Sequence, residues 1–183
     1  MAYQKLQPTR GIGVVPNDTY NIFSPSSSVV SSGVSTSATT DSLTDANADF
    51  ISAGVQVGDV VYRERYNYSS GKNRNALGTV TAVDANGTQL TVSAVADNDV
   101  SGTPTSFSMP SGIKYRIFRP SENVNNGCIL YIGSIGAGGL LRVVTAAGDD
   151  LMLTGVVQGS YTPVQVVKVL EDGTNCSNIT ALW

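Results

Sequence analysis

The chain has 183 residues, of which 14% are charged, and it carries a formal net charge of -3 with a pI near 4.7. So few Lys and Arg exclude a general attraction to nucleic acid or to an anionic membrane surface, and the lack of any histidine removes imidazole nucleophile systems, imidazole metal sites and the usual neutral-pH proton shuttle. Gly, Ser, Thr, Val, Ala and Asn outnumber the helix formers, so an all-β chain is predicted. No run approaches the ~18 apolar residues of a membrane helix, so a soluble protein made in the cytosol is expected.

Residues 1–40 read as an extended Ser/Thr-rich arm, because the tract at residues 24–42 is too polar to offset the entropy of ordering it. Alone the arm is expected to be loose and to gain order against a neighbouring subunit. Residues 41–120 read as a small β-barrel domain. It opens with a short helical or turn segment capped by Asp41 or Ser42, followed by a turn at Gly58-Asp59 and a strand over residues 60–66. The clearest element is GTVTAVDANGTQLTVSAV at residues 78–95. There Val80 and Ala82 on one side and Leu90 and Val92 on the other alternate with polar residues about an Asn86-Gly87 turn, the pattern of a β-hairpin. A polar loop at residues 96–111 leads into IKYRIFRP, which alternates again and stops at Pro120.

Residues 121–183 read as a β-sandwich of jelly-roll-like style. Its strands are CILYIG, then LLRVVTAAGDDLMLTGV around Gly148, then VQVVKVL and NITALW with a turn at Gly173 between them. GSIGAGG at residues 133–139 has neither a P-loop Lys-Ser/Thr nor a dinucleotide spacing, and reads as a strand connection. Cys128 and Cys176 read as two buried small hydrophobes, and Trp183 as a core residue at the end of an apolar strand.

Little in this text points to chemistry. Asp149 and Asp150 are adjacent acids, but neighbours on a strand point to opposite faces, so a solvated turn is expected. Asp97, Asp99, Ser101 and Gly102 open like a calcium loop, yet Ser108 stands where a bidentate Glu is required, leaving a polar hairpin loop. No catalytic residue, metal site or cofactor is therefore assigned. Arg63, Arg65, Lys72 and Arg74 interleave with Tyr62, Tyr66 and Tyr68, and interfaces favour these residue types. Tyr62, Arg63, Arg65, Tyr66, Tyr68 and Arg74 are thus the candidate subunit interface.

Three pieces in order carry a family resemblance: ILYIG at residues 129–133, LRVVTAAGDDLMLTGV at 141–156 and PVQVVKVLEDGTNCSNITALW at 163–183. Through them the C-terminal third resembles the head-spike base family of gene transfer agents and tailed phages, with Tyr131, Ile132, Gly133, Pro163, Gly173, Thr174 and Trp183 in the matching places. The middle segment, AGVQVGDVVY with the hairpin and YRIFRP, is similar to small β-barrel modules of marine phage virion proteins.

The resemblance implies a non-enzymatic virion protein of the capsid surface, either a head decoration protein or the base of a spike or fibre. It would bind copies of itself and neighbours such as the major capsid protein, with no nucleic-acid or membrane partner. A neck, tail or baseplate adaptor is the alternative within the particle. A receptor- or carbohydrate-binding module using Tyr62, Tyr66, Tyr68 and Trp183 is the alternative from another class.

Overall fold

In the computed structural model the described residues are 8–25, 27–64, 75–98 and 104–183. They form antiparallel β-structure with no α-helix among them, only a single 3-10 turn at Pro120–Glu122. The expected all-β class is what the chain adopts.

Six strands make the largest sheet, which curls as a half-barrel. They are β2 (Val29–Val34), β4 (Ser42–Thr44), β5 (Val60–Arg63), β6 (Ala76–Val83), β7 (Gln89–Asp97) and β9 (Lys114–Phe118), ordered β2-β9-β5-β6-β7-β4. A ribbon of β3 (Thr39–Thr40) and β8 (Ser108–Met109) lies beside β4, and its Met109 joins the apolar cluster of that sheet. The remaining strands form two small sheets. One is ordered β1-β14-β10, from β1 (Gly11–Gly13), β10 (Ile129–Ser134) and β14 (Ser177–Leu182); the other is ordered β12-β11-β13, from β11 (Leu141–Thr145), β12 (Asp150–Leu153) and β13 (Val166–Val169). A two-way backbone pair between Cys128 and Val166 joins them.

The hairpin expected at residues 78–95 is β6 and β7, with Gly87 at φ 70° in its turn. One detail differs. The register slips between Val80 and Ala82, and this bulge exposes Ala82 and brings Val83 back against the core, so strict alternation fails for one residue. Of the helical or turn segment expected from residue 41, the structure has turns and no helix. Asp41 has φ 53°, its carboxylate accepts the Phe107 N–H at 2.7 Å, and β4 follows directly. In the turns after β4, Asp45 and Asp49 accept from the N–H groups of Asn47 and Ser52, the local competition by which short polar side chains displace a helix.

The N-terminal arm needs the larger correction. From Gly11 onward it is no arm: β1 pairs with β14 in the register Gly11↔Leu182. Beyond it, residues 13–23 run between the large sheet and the C-terminal strands, bonded to both. Asn17 N–H and Ile22 N–H donate to Val169 and Val167 carbonyls on one side, while Gly13 and Val14 carbonyls accept from Tyr62 Oη and Asn98 Nδ2 on the other. The Ser-rich second half supplies β2, the end strand of the large sheet. The mean polarity of the segment hid five apolar side chains, Ile12, Val14, Val15, Ile22 and Phe23, and all five are buried.

Two apolar clusters follow from this layout. Leu43, Phe50, Val61, Val80, Leu90, Val92, Met109, Tyr115 and Ile117 fill the hollow of the large sheet. The second cluster joins Leu130, Ile132, Leu141, Val143, Val166 and Ile179 to the five N-terminal residues and to Val60, Tyr62, Leu77, Ala96 and Phe118 from the opposite face of the large sheet. Because successive residues on a strand point to opposite faces, Val60 and Tyr62 serve one cluster and Val61 the other. The large sheet is thus buried on both faces along β5, and one core is shared by residues from 41–120 and from 121–183.

Candidate functional site

The interface expected from Tyr62, Arg63, Arg65, Tyr66, Tyr68 and Arg74 is corrected at its first two members. Tyr62 is buried, its hydroxyl donates to the Gly13 carbonyl at 3.0 Å, and burial pushes its phenol well above the usual range, opposed in part by Arg116. Arg63 is 1% exposed. Its guanidinium pairs with Asp97 at 2.9 Å and donates to the Ser108 carbonyl. Neither side chain presents a surface, because β5 is covered on both faces. Arg65, Tyr66, Tyr68, Lys72 and Arg74 lie outside the described residues.

The acids singled out in the sequence are likewise engaged. Asp97 belongs to Arg63, while Asp99, Ser101 and Gly102 lie outside the described residues. Asp150 receives both Nε and a terminal nitrogen of Arg142, at 3.0 and 2.7 Å, and this hydrogen bonding holds its carboxyl below the usual range. Asp149 accepts from Thr145 Oγ1 within the turn. Cys128 and Cys176 are free and buried, and Cys128 donates to the Val166 carbonyl at 3.1 Å; burial pushes its thiol up to about 12. GSIGAGG connects β10 to β11, with Gly138 and Gly139 at positive φ. Trp183 packs half-buried against the shared core.

Two surface features remain. The first is β2, at one end of the six-strand order and pairing only with β9 among the described residues. Its sequence is VVSSGV, with Val29 and Val34 over 40% exposed, and no charged residue stands anywhere between Asp18 and Asp41. Soluble proteins blunt such edges with Lys, Pro or a covering loop, since an edge is a ready template for another strand. Here Gly33 lets the strand lie close over a buried polar pair: a Cβ at that position would stand 2.6 Å from both Asp45 Oδ2 and Tyr115 Oη, which hydrogen-bond each other at 2.8 Å.

The second is a polar cleft of about 190 Å³ where β1 faces the large sheet, lined by Gly11, Gly13, Glu64, Asn75, Arg116 and Thr180 together with Ile12 and Tyr62. The pairing of Arg10 with Trp183 and of Val14 with Ile179 makes Ile12 the bonded residue between them, so alternation turns the main chain of Gly11 and Gly13 toward the cleft. Arg116 lies over the rings of Tyr62 and Phe118, at 5.4 and 5.8 Å from their centroids, and its Nε stands 2.9 Å from Glu64 Oε1 in an ion pair whose angle departs from that of a hydrogen bond. Asn75 is 1% exposed, and its Oδ1, itself buried, has no hydrogen-bond partner among the described residues, which costs about 1–3 kcal/mol. No periodicity or motif marked Asn75. For Arg116 the signal was its place between Tyr115 and Ile117 on an alternating strand.

Compared with known proteins, the chain matches no family model, no curated protein and no solved structure.

Proposed function

We infer that this chain is a structural subunit of a phage-like particle, acting on the capsid surface as a decoration protein or as the base of a spike or fibre, by strand-mediated contact with copies of itself and neighbouring subunits. The observation that carries the reading is the β2 edge. It offers six residues of uncharged, Ser- and Val-rich strand with exposed valines at both ends, a register shift against β9 between Val29 and Ser31, and no backbone pairing on its outer side among the described residues. Every one of the usual charge-based defences against edge pairing is missing from it, and a monomeric protein kept that way would be an aggregation hazard. The all-β build and the resemblance of the C-terminal strands to the head-spike base family support the same reading.

The mechanism is burial of complementary surface and completion of main-chain hydrogen bonds, repeated by the symmetry of the particle. The test is the copy number of this protein in purified particles relative to the major capsid protein, by quantitative mass spectrometry. A ratio near that of the lattice identifies a decoration protein. A small ratio identifies a vertex spike base or the alternative neck and tail position. Absence from the particles overturns the reading.

A further inference from the structure

We propose that β2 pairs antiparallel with β2 of a second copy of this chain about a two-fold axis through Ser32, so that the six-stranded sheet continues across two subunits. The inference rests on the assembly reading and deepens it by naming the partner and the register. It starts from the direction of the main chain. Ser35 N–H donates to the Ile113 carbonyl, next to β9, and Thr36 N–H donates to the Thr44 carbonyl on the other side, so alternation turns the N–H and C=O groups of Ser32 and Val34 away from β9. The bond from Glu64 N–H to the Lys114 carbonyl agrees, since Lys114 stands opposite Val34 and its main chain is turned to β5. Neither Ser32 nor Val34 has a backbone partner on that outer side among the described residues.

The side chains select the partner. Val30 packs against the cluster in the hollow of the sheet, and a Cβ on Gly33 would meet Asp45 and Tyr115 there, while Val29, Ser32 and Val34 are exposed. The register shift between Val29 and Ser31 brings Val29 onto the outer face with Ser32 and Val34, out of strict alternation. Turned about an axis through Ser32, the strand sets its N–H and C=O groups at Ser32 against those of Ser32 in the second copy. Val34 of each copy then meets the Val29–Val30 end of the other, and the exposed valines cover one another. No charge stands on the strand, so a second copy meets no repulsion, whereas a charged partner strand would find no counter-charge. A two-fold pair occupies the edge of both copies and closes at two, where a head-to-tail contact would continue. With six residues a side the contact is weak in solution, and it gains strength from repetition in a lattice.

The experiment is sedimentation equilibrium of the full chain as wild type, as Ser32→Lys, as Ser32→Asp and as an equimolar mixture of the two variants. Ser32 is exposed, so both variants keep the fold. Wild type is expected to show a monomer–dimer equilibrium with a Kd on the order of 0.1–1 mM and no larger species. Each variant alone sets two like charges opposite each other and should raise that Kd at least about fivefold. The mixture sets lysine opposite aspartate and should return the Kd to within about twofold of wild type. A wild type that stays monomeric at about 1 mM, the weakest expected Kd, overturns the proposal. So does assembly beyond the dimer, or a mixture no more dimeric than either variant alone. Copy number in particles reads the assembly reading separately: incorporation of a protein that fails these tests leaves that reading in place and overturns the two-fold pair alone.

Discussion

Arg63 shows how far a single side chain can depart from the role its type suggests. It is a long cation at 1% exposure, held between the Asp97 carboxylate and the Ser108 carbonyl, and so joins β5 to β7 and to the β8 ribbon. Removing one partner of such a pair leaves the other charge stranded, so Arg63→Met should destabilise the fold by about 3–5 kcal/mol in urea unfolding, whereas the double change with Asp97→Asn should recover much of the loss. Gly33 makes a different demand. Gly33→Ala drives a methyl into the Asp45–Tyr115 pair and should cost about 1–3 kcal/mol in the same assay. The thiols give a chemical readout: with the Cys128 pKa pushed up to about 12 by burial, alkylation at pH 8 should be undetectable in the native protein and rapid for both cysteines in urea.

Acid stability also belongs to individual residues. Asp49, through its bonds from Ser52, and Asp150, through Arg142, have carboxyl pKa values below the ordinary 3.8. A depressed folded-state pKa contributes stability that is present above the unfolded value and is lost as pH falls through the folded one. Thermal midpoints should therefore fall below about pH 4, and the fall should be shallower in Asp150→Asn. No histidine exists to add a step between pH 5 and 8.

At the scale of elements, β2 is where function is most directly testable. Val29 and Val34 are exposed at its two ends, so Val29→Lys with Val34→Lys should change monomer stability by no more than about 0.5 kcal/mol. The same pair should sharply reduce incorporation into particles, measured as copy number, because charge is the standard defence of an edge. Elements also show what the sequence could disclose. The β6–β7 hairpin was legible because its partner strand lies across a short turn and one face is solvated at its tip, and the same holds for β11 with β12. β1 and β2 were not legible. Each is short, rich in Gly or Ser, and stabilised by a partner about 80 to 170 residues away, a relation that no local period records. Tyr62 and Arg63 misled for a related reason: alternation implies one wet face, and β5 has none. The cleft was hidden because its walls come from five separate stretches of chain.

At the scale of the whole molecule, residues 13–23 serve as the layer between the large sheet and the C-terminal strands. Phe23 stacks on Phe118 with ring centroids 4.7 Å apart and shares its cluster with Ile132, Val143 and Ile179. Phe23→Ala should cost about 3–5 kcal/mol. The loss should appear in one cooperative transition sensed alike by Trp183 fluorescence and by far-UV circular dichroism, because both halves draw on that side chain.

The pairing of Gly11 with Leu182 also sets a timetable. A ribosome delivers β1 about 170 residues before β14, which at 5–20 residues per second is a wait of roughly ten to thirty seconds. Through that interval Ile12, Val14 and Val15 have no C-terminal cluster to enter, and the uncharged β2 strand beside them is already outside the tunnel. The nascent chain is therefore most exposed to off-pathway strand pairing just before β14 emerges, and holdase chaperones that cover apolar segments such as residues 12–15 should raise its soluble yield.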